Sequence, residues 1–107
     1  MRVLYHPEFP KDARKFERQY SAVSVGLAAR FRNEFDQAID SIKSSPLSAG
    51  HFLATEGAVE KCVRRRNFRS FPFFVLYAVV KEELMFGAVI PSRSDPLSWL
   101  ARFGPAE

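Results

Sequence analysis

Five cations lie within nine residues of this sequence, and no acidic residue interrupts them: Lys61, Arg64, Arg65, Arg66 and Arg69. Guanidinium groups bind phosphate oxygens through paired hydrogen bonds, so the cluster suits contact with a phosphate or a nucleic acid. Cleavage of RNA without a metal would need such cations to stabilise the pentavalent phosphate, and a group to remove the proton of the 2′-hydroxyl. Lys61 is the candidate for carrying that proton.

The alternation of side chains along a strand decides which of these arginines can act together. On an ideal strand Arg64 and Arg66 share one face and Arg65 points to the other, while Arg69 lies past the strand end. Arg93, after the last predicted strand, could approach the same region. The cluster could also be a solvated strand face, or a docking surface for an acidic segment of a protein partner. We favour the protein partner.

Two candidates near the end of the sequence each have a functional and a structural interpretation. Arg93 could bind a phosphate or the target, or it could form an ion pair with Asp95. Trp99 could stack on a nucleic-acid base. Its neighbours Leu97 and Leu100 instead favour packing of the indole against the sheet edge as part of the core.

Composition excludes several classes of protein. The 107 residues carry 16 basic and 12 acidic side chains, for a net charge of +4, and the segment 61–69 accounts for the whole excess. One cysteine and two histidines exclude an internal disulfide and a cysteine-based zinc site, so we expect no metal and no cofactor. The longest uncharged apolar run, Phe71 to Val80, is too short to cross a bilayer as a helix. We expect one cytoplasmic domain over residues 1–107.

The first half of the chain predicts two amphipathic helices after a short strand at residues 2–6. The first helix begins near Pro7 or Pro10 and has apolar residues at helical spacing: Phe9, Ala13, Phe16 and Tyr20. Ser21 or Ser24 can cap the second helix. That helix has the strongest stripe and ends at Ser44-Ser45-Pro46; the stripe contains Leu27, Phe31, Phe35, Ile39 and Ile42.

The second half predicts three strands and a short helix. After a loop at residues 47–57, residues 59–68 form a basic strand, residues 73–80 an apolar central strand, and residues 84–90 the returning strand of a hairpin. Ser94-Asp95-Pro96 begins a last helical turn. The order is β-α-α-β-β-β. It indicates an α+β fold in which an N-terminal helical hairpin packs on a mainly antiparallel sheet of about four strands, with a short C-terminal helix.

Four motifs in a fixed order cover nearly the whole chain. The first is Val3-Leu4-Tyr5-His6-Pro7-Glu8, and the second, in the long helix, is Ala28-Ala29-Arg30-Phe31 followed by Ala38-Ile39-Asp40-Ser41-Ile42. The third joins a basic strand to an apolar one and consists of Val63-Arg64-Arg65, Phe71-Pro72-Phe73 and Tyr77. The fourth is Ala88-Val89 with Arg93, Pro96, Trp99 and Arg102. Together they resemble the RelE/ParE superfamily of type II toxins, which includes plasmid stabilisation toxins, and the helical hairpin is closer to the ParE-like subgroup.

The resemblance implies a toxin that inhibits growth and is neutralised by a cognate antitoxin. ParE-like members bind DNA gyrase, whereas RelE-like members cut mRNA on the ribosome without metal. If this chain is RelE-like, its catalytic residues are Arg64, Arg66 and Arg93. The candidates for binding the target or a phosphate are Lys61, Arg65, Arg69, Trp99 and Arg102.

Two departures from the family pattern bear on the choice of target. Pro91 stands where many members carry histidine, and Phe73 stands where many carry tyrosine. Because acid–base groups are scarce, we expect gyrase rather than the ribosome as the target. A degenerate, non-toxic member that only binds its antitoxin is a third alternative, and the sequence leaves a homodimer open.

Overall fold

A computed structural model of the chain describes residues 1–52 and 63–103. Helix α1 spans Phe9–Ser21 and helix α2 spans Val25–Ser44, and the two form the predicted hairpin. Of the two serines that could cap the second helix, Ser24 does so, because its Oγ accepts from the Leu27 N–H at 3.3 Å. No helix within the described residues is long and apolar enough to span a membrane.

The sheet contains five strands in the order β1-β5-β4-β3-β2. Their bounds are β1 Arg2–Tyr5, β2 His51–Phe52, β3 Val63–Asn67, β4 Phe73–Val80 and β5 Glu83–Pro91. Strand β1 runs parallel to β5, and every other pair is antiparallel. The α+β class and the mainly antiparallel sheet are therefore confirmed. The predicted basic strand is found at its C-terminal part, while residues 59–62 lie outside the described residues.

One part of the predicted loop after the helices is wrong. Residues 51–52 form the two-residue edge strand β2, paired to Arg64 and Arg65 of β3. The sequence contains little sign of it, because two residues cannot show an alternating pattern. Gly50 permits this segment to approach the sheet closely, because a Cβ at this position would lie only 2.5 Å from the Arg65 carbonyl oxygen.

The two faces of the sheet bury separate cores. The helical hairpin covers one face, hereafter the helix face, where its aromatic residues pack on those of β4 and β5. A C-terminal 3₁₀ helix, Pro96–Phe103, supplies Trp99, Leu100 and Phe103 to the other face, hereafter the outer face. The expectation of a short C-terminal helix is confirmed. Trp99 is half-buried against this outer core. Its indole therefore packs on the sheet, but on the face of the sheet and not at its edge.

A β-bulge at Gly87 shifts the alternation of β5 side chains between the two cores by one residue. Leu76 pairs with Ala88 and Tyr77 pairs with Phe86, so Gly87 has no partner on β4. Phe86 consequently lies in the core of the helix face, whereas Ala88 lies in that of the outer face. The Phe103 ring sits directly on Gly87, where an added Cβ would lie 2.2 Å from the ring.

Candidate target-binding surface

Arg64 and Arg66 share a strand face, as the alternation predicts, and both reach toward α2 and the loop that follows it. Arg64 Nη1 donates to the carbonyl oxygens of Leu47 at 3.0 Å and Gly50 at 3.3 Å. Tyr77 binds the same segment, since its hydroxyl donates to the Pro46 carbonyl at 2.8 Å. Charged donors on neutral carbonyls make strong hydrogen bonds. Arg64 therefore ties the loop after α2 to the sheet.

Arg66 makes a second tether between the basic strand and α2. Its Nε lies 3.5 Å from Ser41 Oγ on α2, and its Nη1 donates to the carbonyl of the neighbouring Asn67. Both strand members of the predicted catalytic set are therefore engaged with protein acceptors on the helix face. A phosphate bound at either residue would share the guanidinium with those acceptors.

Arg65 points to the outer face and is held rigidly there. Its guanidinium carbon lies 3.8 Å from the centroid of the Phe74 ring, and its Nε and Nη2 both donate to Asn67 Oδ1, at 3.1 and 2.9 Å. Burial against the ring lowers the pKa of Arg65 from its ordinary value. Stacking on an aromatic face and a paired hydrogen bond leave the guanidinium in one orientation.

Arg69 and Arg93 lie in exposed turns at one end of the sheet. The turn after β3 closes through a Phe68 N–H donating to the Phe73 carbonyl, and the turn after β5 is joined to it because the Ser92 N–H donates to the Pro72 carbonyl at 2.9 Å. Among the described residues, neither arginine side chain has a hydrogen bond or an ion pair. The structure thus brings these two predicted cations to a common end of the sheet, and Arg65 lies on β3, the strand that leads into the turn of Arg69.

The turn that carries Arg69 is fixed by a carboxylate that the sequence analysis missed. Glu34 of α2 accepts from the backbone N–H groups of Ser70 at 2.8 Å and Phe71 at 3.3 Å. Desolvation raises the pKa of Glu34, but these hydrogen bonds outweigh it and hold the pKa below its ordinary value. No pattern in the sequence links positions 34 and 70, because the contact joins two elements that only the fold brings together.

Arg102 is separated from this surface and serves the packing of the C-terminal helix. Its Nη1 lies 2.7 Å from Asp12 Oδ2 and donates to the Gly87 carbonyl at 3.0 Å, while the same carboxylate accepts from the Val89 N–H. Strand β1 has already ended here, since the His6 N–H makes the last bond to β5 at Phe86. The Asp12–Arg102 pair therefore occupies the edge of β5 where β1 stops.

Lys61 lies outside the described residues. Tyr77 is fully buried, and desolvation raises the pKa of its phenol, although the nearby Arg64 lowers it in part. No group of three histidine, cysteine or acidic side chains able to hold a metal occurs in residues 1–52 and 63–103.

Comparison with known proteins identifies the fold. No protein-family model and no curated protein sequence matches this chain. Among solved structures, it is similar to a chain of the chromosomal ParDE TA system from P. aeruginosa, with a TM-score of 0.67 and 16% sequence identity, over 85% of this chain and 95% of that chain. At this identity the match shows a shared fold, and the chain therefore has the fold of a chain of that toxin–antitoxin system.

Proposed function

We propose that this chain, as one domain over residues 1–107, is the cytoplasmic toxin of a type II toxin–antitoxin pair and that a cognate antitoxin neutralises it. The observation that carries the proposal is the fold shared with a chain of the ParDE TA system along nearly all of that chain's length. The four ordered sequence motifs support it independently, because they resemble toxins of the RelE/ParE superfamily.

Within this class we propose DNA gyrase as the target. Metal-free RNA cleavage needs several free cations around one phosphate and a group that takes the 2′-hydroxyl proton. Arg64 and Arg66 are instead engaged by carbonyl and hydroxyl groups of the protein. Tyr77 is fully buried, burial raises the pKa of its phenol, and its hydroxyl donates to the Pro46 carbonyl, so little phenolate forms at neutral pH to accept a proton. These features support inhibition by binding over hydrolysis.

Packing accounts for the departure at Phe73. Its ring lies 4.6 Å from that of Phe16 and 5.3 Å from that of Phe31, measured between centroids, and the residue is 6% exposed. A tyrosine hydroxyl at this position would need a polar partner inside an aromatic cluster. Phenylalanine at position 73 therefore favours stability over acid–base chemistry.

The test compares two targets with one protein preparation. Expression of the chain alone should arrest bacterial growth, and the purified protein should inhibit supercoiling by gyrase while leaving mRNA intact in a translating extract. Arg93→Ala and Arg69→Ala should weaken the inhibition without changing the free energy of unfolding, since both side chains are exposed. Arg30→Ala, an exposed arginine of α2, is the matched control.

Three outcomes would contradict parts of this proposal. Cleavage of mRNA that disappears in Arg64→Ala and Arg66→Ala would establish the endoribonuclease instead of gyrase inhibition. Normal growth together with binding to the product of a neighbouring gene would indicate a non-toxic member. Normal growth without any such binding would remove the toxin proposal altogether.

A further inference from the structure

The turn between β3 and β4, residues 68–72, presents several hydrogen-bond donors to one carboxylate, that of Glu34 on α2. Glu34 Oε1 accepts from the backbone N–H groups of Ser70 at 2.8 Å and Phe71 at 3.3 Å. The Arg69 N–H and the Ser70 hydroxyl contribute further hydrogen bonds to the same carboxylate. Successive backbone N–H groups that converge on an anion hold the backbone in one conformation. Glu34 therefore fixes the backbone from which the Arg69 side chain leaves.

The same stretch of α2 also holds this turn through apolar contacts. The Phe31 ring lies 5.4 Å from that of Phe68 and 5.6 Å from that of Phe71, measured between centroids. Glu34 follows Phe31 by three residues, so the two side chains are neighbours on the surface of α2. Apolar contacts are not directional, whereas hydrogen bonds to N–H groups are. The rings therefore attach the turn to α2, and Glu34 sets the orientation of its backbone.

One backbone hydrogen bond extends this arrangement to the turn after β5. The Ser92 N–H donates to the Pro72 carbonyl at 2.9 Å, and Arg93 is the next residue. Pro72 in turn follows Phe71, whose N–H donates to Glu34. A displacement of the turn 68–72 would therefore change where both turns present their arginines.

We propose that Glu34 is a positioning residue for target binding. It holds the turn 68–72 so that Arg69, and to a smaller extent Arg93, meets an acidic surface of the target in one fixed arrangement. A guanidinium whose backbone is fixed in advance loses less conformational entropy when it binds. The inference rests on the proposed function, in which these two arginines contact gyrase.

Two other roles for Glu34 predict different results. If Glu34 only stabilised the fold, its removal would lower the free energy of unfolding, and its effect on inhibition would be independent of Arg69. If its charge contacted the target directly, any variant that kept the charge would keep the inhibition. In the positioning role, the geometry of the acceptor matters more than its charge, and the effect depends on Arg69.

The first test is a double-variant cycle, read as inhibition of gyrase supercoiling by the full chain. Glu34→Ala and Arg69→Ala should each weaken the inhibition by about tenfold. The double variant should be at most about twofold weaker than Arg69→Ala alone, because a misplaced arginine and an absent one lose the same contact. Asp40→Ala is the matched control: it removes an exposed carboxylate of α2 and should leave the inhibition unchanged.

The second test separates geometry from charge. Both N–H groups donate to Oε1 of Glu34, so the amide oxygen of a glutamine can accept them in the same place. Glu34→Gln should retain inhibition within about threefold of the wild type. Glu34→Asp keeps the charge but is one methylene shorter, so it should behave like Glu34→Ala.

Amide hydrogen exchange tests the geometry without any target. The N–H groups of Ser70 and Phe71 should exchange at least about tenfold faster in Glu34→Ala than in the wild type, while the amides of β4 keep their rates. If the β4 amides also exchange faster, the variant has lost global stability, and the comparison of Glu34→Gln with Glu34→Asp decides the result.

Three results would each overturn the proposal. The first is unchanged exchange at Ser70 and Phe71 in Glu34→Ala. The second is a double variant whose loss equals the product of the two single losses. The third is stronger inhibition by Glu34→Asp than by Glu34→Gln.

Failure of this inference can be told apart from failure of the proposed function, because the wild-type chain is measured in the same assay. A wild type that inhibits gyrase, together with full inhibition by Glu34→Ala, keeps the function and removes the positioning role. A wild type that does not inhibit gyrase removes the proposed target, and with it the role of Glu34 in binding that target.

Discussion

The two faces of the sheet are covered in different ways. On the helix face, two helices of 13 and 20 residues bury Phe31, Phe73 and Tyr77 almost completely. On the outer face, an eight-residue 3₁₀ helix contributes Trp99, Leu100 and Phe103, none of them fully buried. Both faces bury apolar side chains, but the 3₁₀ helix covers the outer face with fewer residues. Its attachment also uses the Asp12–Arg102 pair and the contact of Phe103 with Gly87.

The same contrast separates the arginines of the basic strand. Arg64 and Arg66 on the helix face are occupied by carbonyl and hydroxyl acceptors near α2. Arg65 on the outer face keeps an orientation set by Phe74 and Asn67. A cluster that is uniform in sequence thus contains two tethers to α2 and its following loop on one face, and a cation held by Phe74 and Asn67 on the other.

The largest effect should come from truncating the helix face. Phe31→Ala should lower the free energy of unfolding by about 3–5 kcal/mol, because it removes a fully buried ring and leaves a cavity. The comparison variant, Phe103→Ala on the outer face, should cost about 1–2 kcal/mol, since its ring is only half-buried. Urea denaturation followed by circular dichroism measures both. Equal losses would contradict the difference between the faces.

A smaller effect should follow from removing the Asp12–Arg102 ion pair, which joins the C-terminal helix to α1. Arg102→Ala and Asp12→Ala should each cost about 1–3 kcal/mol, since either change leaves a half-buried charge without its partner. The double variant should cost less than the sum, because the two residues act as one pair.

Trp99, the one tryptophan of the chain, reports the same event directly. Its emission should shift to longer wavelength in both single variants as the 3₁₀ helix loosens. Arg93→Ala, an exposed arginine near the same helix, is the control and should leave both stability and emission unchanged. An unchanged Trp99 spectrum in Arg102→Ala would show that apolar contacts alone hold this layer.

The smallest effect should be a pH dependence that originates at Glu34. Its pKa is lower in the folded chain than its ordinary value of 4.5, so the folded state gains stability above that pH and loses it as the pH falls through the folded pKa. Glu34→Gln should cost about 0.5–1 kcal/mol at neutral pH and should reduce the loss of stability in acid.

Urea denaturation of the Glu34 variant and the wild type at several pH values measures this difference. Glu82→Gln, in the exposed turn between β4 and β5, is the matched control and should retain the full acid dependence. Identical pH profiles for Glu34→Gln and the wild type would mean that the Ser70 and Phe71 N–H groups do not favour the ionised carboxylate.

Much of the fold follows from local patterns. Apolar spacing predicted α1 and α2, and the uninterrupted apolar run from 73 to 80 predicted β4, since these signals depend only on periodicity. Strand β2 and the bulge at Gly87 were not predicted. The first is too short for a pattern, and the second is visible only as a change in which residues of β5 face each core.

The candidate site was predicted less completely than the fold. Alternation placed Arg64 and Arg66 on one face and Arg65 on the other, but it did not show that the first two would be bound by carbonyl and hydroxyl groups near α2. Arg102 was predicted to bind the target from its place in a motif, and no sequence pattern predicted its pairing with Asp12, 90 residues earlier. Side-chain partners so far apart in sequence leave no local signal.

The sequence by itself determined the secondary structure, the apolar faces and the position of the positive charge, because each depends on residue type and spacing alone. The tertiary structure decided which groups bind each arginine of the basic strand and how the C-terminal helix is held against the outer face. These properties depend on distances between residues that are remote in the chain. Only the packing of helices on the sheet sets those distances.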